Sequence, residues 1–351
     1  MKIRVPDITL GYTRFALLPS LQCDANCRHC LFRGNLRKEK DYNDKFTKKT
    51  IEQAAKLVSY ISITGGEPFF DTDRLLEIAT YANNAECLFD LVTNGLWYRR
   101  LSSKDAAREL LIKLRKLGLD SITFSYDDYH RPALSRREIE SLVDIAISAG
   151  IPVAIKSCGS VARENTRKLK RKYRRLGVPL VTETFSLENT GTGKRLPPDL
   201  VARRLPTACE LLATPVILPD GTLYACCSAQ MLEAKNDWLK RGNVKKGGLA
   251  RLLKDAENDF RLIAAAALGP GGFARILGIK PKENQTGCDF CMMVLNNRTY
   301  RQELERMLSR GKKLRKEVIG RFMLLSYKHN MKNSKLKEEW ESFFNQRGKK
   351  L

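Results

Sequence analysis

The stretch CDANCRHC, residues 23–30, places three thiols in one short loop at the spacing C-x3-C-x2-C. The thiolates of Cys23, Cys27 and Cys30 can bind three corners of a four-iron cluster, which leaves the fourth iron without a protein ligand. An open coordination position is where a metal centre does chemistry, as in catalytic zinc sites. A structural zinc loop is the alternative. It needs a fourth Cys or His nearby, and the nearest candidate, His29, is directly adjacent to Cys30.

A second motif follows the short apolar run 60–64, which leads directly into Gly65-Gly66-Glu67-Pro68. Two glycines allow the backbone to approach a ligand closely, a carboxylate can bind a cation, and a proline stiffens the exit. With both motifs present, the chain resembles the radical SAM superfamily. The signature of that family is this cysteine spacing with an aromatic or similar ring before the third cysteine, and His29 holds that place.

The resemblance implies a cofactor, a reaction and a set of site residues. The cluster would be held by Cys23, Cys27 and Cys30, and its open iron would chelate the methionine part of S-adenosylmethionine (SAM). An electron from a donor such as flavodoxin or ferredoxin would then cleave SAM to a 5′-deoxyadenosyl radical, which takes a hydrogen atom from an unactivated C–H bond. The residues implied to orient SAM are His29, Gly65, Gly66, Glu67, Asn94, Ser125 and Asp127. Asn94 and Asp127 are also ordinary turn formers.

Up to about residue 185 the chain alternates short apolar runs with amphipathic stretches, which predicts parallel strands joined by helical crossovers. The predicted strands are 14–19, 60–64, 88–93, 121–125, 151–156 and 179–185. The predicted helices are 47–58, 72–83, 103–117, 135–149 and 163–176, with helix-capping residues at Thr47, Asp71, Ser103 and Ser135. The fold class is therefore α/β, and six such units match the partial (β/α)6 TIM barrel of the radical SAM type. The candidate groups lie at the C-terminal strand ends, where parallel barrels carry their active sites.

A second cysteine set begins at Cys209. Pro219-Asp220-Gly221 predicts a hairpin whose second strand ends at Cys226, and Cys288 and Cys291 form a C-x2-C pair. This set resembles the truncated SPASM, or twitch, domain of radical SAM enzymes, including a glycine five residues before the second ligand. The resemblance implies one auxiliary [4Fe-4S] cluster. A four-cysteine zinc site has the same ligands, and spacing does not separate the two.

These features divide the chain into four predicted segments. They are a radical SAM core barrel (1–187), a linker (188–206), a small α+β auxiliary-cluster domain (207–296) and a basic C-terminal helical extension (297–351).

Three further residues are candidates for catalysis: Cys227, His130 and Lys156. Cys227 can replace Cys226 as a cluster ligand, can be an inert buried thiol, or can give a hydrogen atom to a substrate radical, as in family members that epimerise peptides or sugars. Cys158 is a weaker rival for the donor role. His130 is a candidate proton acceptor or a plain loop residue, and Lys156 is a comparable choice.

The net charge of +24 indicates an anionic partner or a solubility device. Eight of the thirteen residues in 163–175 are basic, and the segment from 297 onward is also basic. A solvated helix face accounts for such a run, and an acidic peptide or RNA would bind to it. Nucleic acid is disfavoured because no RNA-binding module is recognisable and aromatic residues are not interleaved with the basic ones.

We expect no membrane segment, because neither an apolar run of membrane length nor the apolar core of a signal peptide is found. Ten cysteines, grouped at metal-ligand spacings, favour a reducing cytoplasm. The function predicted first is modification of a ribosomally made peptide by epimerisation or crosslinking, and the basic charge suits a peptide with an acidic leader. The alternatives are a dehydrogenase or epimerase of a small sugar-like metabolite, and a non-enzymatic iron-sulfur or zinc scaffold that binds RNA.

Overall fold

A computed structural model of the protein describes residues 8–25, 27, 29–32, 34, 36, 43–127, 129–130, 134–158, 160–185, 205–228, 230–283 and 285–348. The chain divides into two units. The first unit comprises residues 17–200 and 331–351, and the second comprises residues 1–16 and 201–330.

The elements before residue 186 alternate strand and helix. They are β1 (Arg14–Leu17), α1 (Asp44–Ala54), β2 (Tyr60–Ile63), α2 (Thr72–Asn84), β3 (Leu88–Thr93), α3 (Lys104–Lys116), β4 (Leu119–Ser125), α4 (Arg136–Ser148), β5 (Val153–Cys158), α5 (Ser160–Arg175) and β6 (Val181–Phe185). In the first unit the strands lie in the order β6-β5-β4-β3-β2, and each neighbouring pair is parallel. The predicted α/β class is confirmed, and this parallel sheet is consistent with a partial barrel.

The core of the first unit lies between this sheet and the apolar faces of its helices. Alternate strand residues are fully buried, among them Ile61, Phe89, Leu91, Ile122, Phe124 and Ile155. In α5, Leu169 and Tyr173 are buried, whereas most of the described basic residues of that helix are exposed. Because every strand is parallel, all of the C-terminal strand ends lie along one edge of the sheet.

The helix starts mostly follow the predicted caps. The side chains of Asp71, Ser103 and Ser135 cap α2, α3 and α4 as expected. The prediction for α1 is wrong, because the cap is Asn43, whose side chain accepts a 2.8 Å hydrogen bond from the Phe46 N–H. Thr47 lies inside the helix and donates its hydroxyl to the Asn43 carbonyl instead.

The elements after residue 204 are two short strands of a hairpin, a third strand and several helices. They are β7 (Val216–Ile217), β8 (Thr222–Tyr224), β9 (Lys240–Asn243), α6 (Val244–Gly247), α7 (Leu249–Glu257), α8 (Phe260–Leu277), α9 (Gly287–Asn296), α10 (Arg298–Arg310) and α11 (Lys312–Gly348). The hairpin predicted at residues 219–221 is confirmed, since β7 and β8 pair antiparallel on either side of it. In the second unit the strand order is β1-β7-β8-β9.

Helix α8 is the one described helix that is long and apolar enough to cross a membrane by length and composition. Its residues 262–270 are all buried, as in the core helix of a globular unit. It kinks at Gly269, which precedes Pro270 and has a non-helical backbone. Residues 188–204 of the predicted linker lie outside the described residues.

Candidate active site

The turn after β2 runs alongside the segment that leads into the first cysteine loop, and both belong to the first unit. The Thr64 N–H donates to the Leu17 carbonyl at 3.1 Å, the Gly66 N–H to Ser20 at 3.0 Å, and the Glu67 N–H to Gln22 at 2.8 Å. These three backbone hydrogen bonds fix the distance between the Gly-Gly-Glu-Pro turn and the segment that leads into the cysteine loop. The approach ends one residue before Cys23.

Only glycine fits in this turn. A Cβ atom at Gly66 would lie 1.9 Å from the Gln22 carbonyl oxygen, and one at Gly65 would lie 2.5 Å from the Ser20 carbonyl oxygen. Gly65 also has a φ of +126°, a conformation that side-chain-bearing residues rarely adopt. The paired glycines therefore serve the close packing of the turn on the cysteine loop, in addition to any approach to a ligand.

Glu67 is buried and bonded by three donors. One carboxylate oxygen accepts from the Thr93 hydroxyl at 2.6 Å and from the Phe69 N–H at 3.1 Å, and the other accepts from the Asn94 N–H at 2.7 Å. Burial raises the pKa of Glu67 to about 7, although these hydrogen bonds work in the opposite direction. A carboxylate poised in this way gains from a cation placed beside it.

Two thiols of the first loop accept hydrogen bonds from backbone N–H groups. The Cys23 sulfur accepts from the Ala25 N–H at 3.3 Å, and the Cys30 sulfur accepts from the Gly34 N–H at 3.4 Å. Burial, together with the nearby charges of Glu67, Asp24 and Cys27, raises the pKa of Cys23 to about 12. A bound metal reverses this, because a coordinating thiol is deprotonated outright.

Backbone N–H groups directed at sulfur, with three thiols in one loop, fit an iron-sulfur cluster. The Gly34 position supports this fit, since a Cβ there would lie 3.2 Å from the Cys23 Cβ and 3.0 Å from the Leu21 carbonyl oxygen. The loop thus leaves little room on its protein side.

Asn94 connects the end of β3 to the cysteine loop. Its Nδ2 lies 3.0 Å from Asp24 Oδ1 and 3.7 Å from Cys23 Sγ, and its Oδ1 accepts from the Leu96 N–H at 2.8 Å. Arg100 holds Asp24 from the other side, with its Nη1 at 3.1 Å from Asp24 Oδ2.

Asp127, after β4, accepts hydrogen bonds from two directions. Its Oδ1 accepts from the N–H groups of Tyr129 and His130 and lies 2.8 Å from His130 Nδ1, and its Oδ2 accepts from the Cys158 N–H at 3.0 Å. Burial opposes ionisation of this carboxyl, but the bond and charge of His130, with the other donors, leave its pKa lowered. Asp127 therefore ties the loop after β4 to the end of β5.

His29 lies against this loop. Its ring centroid is 4.6 Å from that of His130 and 5.8 Å from that of Tyr129, both edge to face. Burial, together with the charge of His130, lowers the pKa of His29 to about 4, so the ring is neutral at pH 7. Its Nδ1 is buried and has no hydrogen-bond partner within the part of the chain that the structure describes.

Two more predicted residues meet at the same strand edge. Ser125 and Lys156 are register partners of β4 and β5, and the Tyr126 N–H donates to the Lys156 carbonyl at 2.8 Å. Cys158 lies two residues further along β5, within 4.8 Å of ligand atoms of His29 and Asp127. The structure thus brings together His29, Asp127, His130 and Cys158, and separately joins the thiol loop to Glu67 and Asn94.

The second unit gathers three thiols of the second set. The charges of Cys209 and Cys226 raise the pKa of Cys291, after burial as the main cause, so these three sulfurs are close enough to interact. Burial likewise raises the pKa of Cys226 to about 12. Cys288 lies one turn before Cys291 at the start of α9, and it is half-buried.

Cys226 and Cys227 differ in their surroundings. Cys226 is buried beside Cys209, whereas Cys227 is half-buried, and its N–H donates to the Leu211 carbonyl at 3.2 Å. The two neighbouring thiols thus differ in burial, and Cys226 is the one that lies beside Cys209.

The residues that sequence reasoning missed are Asp24, Arg100, Thr93 and Gly269. Gly269 allows the kink of α8 to touch the segment that leads into Cys209, since a Cβ there would lie 2.6 Å from the Pro206 carbonyl oxygen. The GPGG run around this kink is a visible signal for it. Arg100 carries no such signal, because nothing in its local sequence shows that it reaches Asp24.

The family comparison agrees with this geometry. Residues 17–159 match the model of the Radical SAM superfamily. They contain the thiol loop, the Gly-Gly-Glu-Pro turn and the ends of β3, β4 and β5. Residues 17–159 therefore form a radical SAM domain, a class of domain that uses SAM and a [4Fe-4S] cluster.

The individual proteins that the chain resembles have low sequence identity to it. The chain is 26% identical over 230 residues to the putative peptide biosynthesis protein YydG of Bacillus subtilis (strain 168), a match that spans 61% of this chain and 69% of YydG. Among solved structures, SuiB of Streptococcus suis bound to precursor peptide SuiA is 17% identical, with a TM-score of 0.44, over 72% of this chain and 66% of SuiB. Native anSMEcpe with bound AdoMet and Cp18Cys peptide is 12% identical, with a TM-score of 0.47, over 90% of this chain and 99% of anSMEcpe. The chain thus spans about two thirds of the length of SuiB.

Proposed function

We propose that this radical SAM enzyme modifies a ribosomally made peptide, by epimerising or crosslinking its residues. The observation that supports the radical SAM chemistry is the direct junction of the Gly-Gly-Glu-Pro turn with the loop of Cys23, Cys27 and Cys30. The similarity to YydG supports a peptide as the substrate class.

When bound, a four-iron cluster with an open iron supplies the electron that cleaves SAM into methionine and the radical that attacks a C–H bond. The chain's own part is to bind and orient. Cys23, Cys27 and Cys30 hold the cluster. Glu67 would accept a hydrogen bond from the amino group of SAM. The neutral ring of His29 offers an apolar surface with one nitrogen, Nδ1, that has no hydrogen-bond partner among the described residues.

The test of this chemistry is anaerobic reconstitution with iron and sulfide, reduction with dithionite, and measurement of 5′-deoxyadenosine released from SAM. We expect release by the wild-type protein and none by Cys30→Ala. Cys87→Ala is the matched control, since Cys87 is a buried core thiol that is far along the chain from the loop. Intact SAM with a fully loaded wild-type protein would contradict the proposal.

We also propose that Cys209, Cys226, Cys288 and Cys291 hold one auxiliary [4Fe-4S] cluster. Support comes from the proximity of three thiols, since the charges of Cys209 and Cys226 raise the pKa of Cys291. Cys288 lies one turn before Cys291 on α9. A tetrahedral zinc has the same ligand set, and iron analysis of the reconstituted protein separates the two.

Cys227 is our candidate hydrogen-atom donor in an epimerisation. It is adjacent to Cys226 and is only half-buried. In the donation step its S–H bond breaks as the substrate C–H bond forms. One electron from a reductant of the flavodoxin or ferredoxin class and one solvent proton then restore the thiol. His130 and Lys156 remain candidate acid–base groups at the strand edge.

The epimerisation test uses the peptide encoded by a short reading frame beside the gene, in deuterated water. We expect deuterium at the product α-carbon with the wild-type protein and with Cys158→Ala, and its loss with Cys227→Ala. Deuterium at wild-type yield in Cys227→Ala identifies another donor. A crosslinked product without α-deuterium identifies the second reaction.

An exposed surface of α11, apolar with basic residues beside it, supports a substrate with an acidic segment. On α11, Met323, Leu324 and Tyr327 are each more than half exposed and fall on one helix face. Arg321 and Lys328 lie three and four residues from Leu324 and flank that face. Such a surface suits a segment that is both acidic and apolar, as an acidic leader would be.

A further inference from the structure

The orientation of the Asn94 side chain is fixed by three neighbours. Its Oδ1 accepts from the Leu96 N–H at 2.8 Å, so its NH2 group must point the other way. That group reaches Asp24 Oδ1 at 3.0 Å and Cys23 Sγ at 3.7 Å. The sulfur of Cys23 therefore receives an N–H from a side chain as well as the backbone N–H of Ala25.

The Asp24 carboxylate is held beside the same sulfur. It follows Cys23 directly in sequence, and Arg100 pairs with its Oδ2 at 3.1 Å. The other guanidinium nitrogen of Arg100 donates to the Phe69 carbonyl at 2.7 Å, which anchors the arginine to the turn after Glu67. A fixed negative charge and a fixed N–H donor thus meet at one cluster ligand.

These two groups act oppositely on an iron-sulfur cluster. Reduction adds one negative charge to the cluster, so a donor directed at a ligand sulfur stabilises the reduced form and raises the reduction potential. A carboxylate close to the same sulfur disfavours the added charge and lowers the reduction potential. Outer groups of this kind tune a metal site without touching the metal.

We propose that Asn94 and Asp24 are positioning residues that set, in opposite directions, the reduction potential of the cluster held by Cys23, Cys27 and Cys30. This rests on the proposed ligation by those three cysteines. Asn94 makes the cluster easier to reduce, Asp24 makes it harder, and Arg100 keeps the Asp24 carboxylate in place. The function of Asn94 is thus directed at the cluster rather than at SAM.

The experiment compares reconstituted wild-type protein, Asn94→Ala and Asp24→Asn. Iron per chain is counted first, and the reduced cluster is then quantified by electron paramagnetic resonance at a series of poised potentials. At a fixed potential we expect the ratio of reduced to oxidised cluster to fall up to about tenfold in Asn94→Ala, which is about 59 mV for one electron. In Asp24→Asn we expect the ratio of reduced to oxidised cluster to rise, because the negative charge beside the cluster is removed. The amide keeps an oxygen that can accept the hydrogen bond from Asn94.

Arg99→Ala is the matched control. Arg99 is adjacent to Arg100 in the same turn but pairs with Glu138, at 2.5 Å, away from the cysteine loop. We expect wild-type iron content and potential in this variant.

The outcomes separate this inference from the proposed function. Wild-type potential in both variants, with iron retained, overturns the inference and leaves the SAM chemistry intact. A shift of both in the same direction also overturns it, since a merely loosened loop would expose the cluster to water in either variant. If Asn94→Ala does not fold, the direction of the shift in Asp24→Asn decides. A wild-type chain that binds no cluster at this loop removes both proposals.

Discussion

The Glu67 carboxylate accepts a 2.7 Å hydrogen bond from the backbone N–H of Asn94. This contact joins the ends of β2 and β3, and the same two residues face the cysteine loop through Gln22 and Cys23. Hydrogen bonds therefore connect the turn, the end of β3 and the cysteine loop, so a displacement of one of them moves the others.

The affinity for SAM should depend on pH through Glu67. Burial raises the pKa of this carboxyl to about 7, so it is largely protonated at pH 6 and gains a charge as the pH rises. A cationic amino group prefers the ionised form, so binding should tighten by roughly tenfold between pH 6 and pH 7.5. Equilibrium binding to the reconstituted protein measures this. Glu67→Gln is the control, and it should bind weakly with no such slope; an equal slope in both proteins would exclude Glu67.

Gly66→Ala should disrupt the junction of the turn and the loop. The new Cβ would lie 1.9 Å from the Gln22 carbonyl oxygen, so the backbone must move. We expect a loss of about 2 kcal/mol or more in the free energy of unfolding, together with loss of SAM binding. Urea unfolding and binding measurements test both.

Gly320→Ala is the matched control for that substitution. Gly320 lies in α11, and a Cβ there would meet nothing within 4 Å. Alanine in a helix interior is favoured by roughly 0.5–1 kcal/mol over glycine, so this variant should be as stable as the wild type or more stable. Equal losses in the two variants would show that the close approach at Gly66 is unimportant.

Iron content should report the two cysteine sets separately. Reconstituted wild-type protein should hold about eight irons per chain, as two four-iron clusters require. Cys30→Ala should lose the first set's iron and all SAM cleavage. Cys291→Ala should retain the first cluster, and Cys87→Ala should retain both. Zinc in place of iron at the second set would contradict the auxiliary cluster.

Asp127→Asn should destabilise the first unit at neutral pH. The native pKa of this carboxyl is lowered, so its ionised form contributes stability above the unfolded pKa, and that contribution is lost as the pH falls through the native value. We expect a loss of roughly 1–3 kcal/mol at pH 7, since a buried acceptor of several donors is weakened. The difference should be smaller at about pH 2.5, below the ordinary value of 3.8 for this carboxyl. Urea midpoints at the two pH values measure this.

Asp73→Asn is the control for that experiment. Asp73 is exposed in the first turn of α2, and its replacement should change stability by less than about 0.5 kcal/mol. A loss at Asp127 that does not shrink on acidification would show that its charge is not the cause.

Much of the fold could be predicted because local patterns set it. The alternation of apolar runs and amphipathic stretches located the strands and α-helices described between residues 14 and 185 to within a few residues. Side-chain caps at Asp71, Ser103 and Ser135 are local chemistry and were found, whereas Asn43 was missed because the helix of Thr47 begins one turn earlier. The GPGG run marks the kink at Gly269 locally, but the close approach of Gly269 to Pro206 depends on packing and could not be located in the same way.

The sequence by itself determined the class of the protein. Metal-ligand spacing and a glycine-rich turn are fixed by a few consecutive residues, and their chemistry is written in the side chains of Cys23, Cys27, Cys30 and Glu67. Only the tertiary structure decided what surrounds them. The Asn94 amide, the Asp24 carboxylate and the Arg100 guanidinium meet because folding places the segment after β3, which carries Asn94 and Arg100, against the cysteine loop that carries Asp24. A hydrogen bond or a charge pair between residues far apart in sequence exists only once folding has set the distance between them.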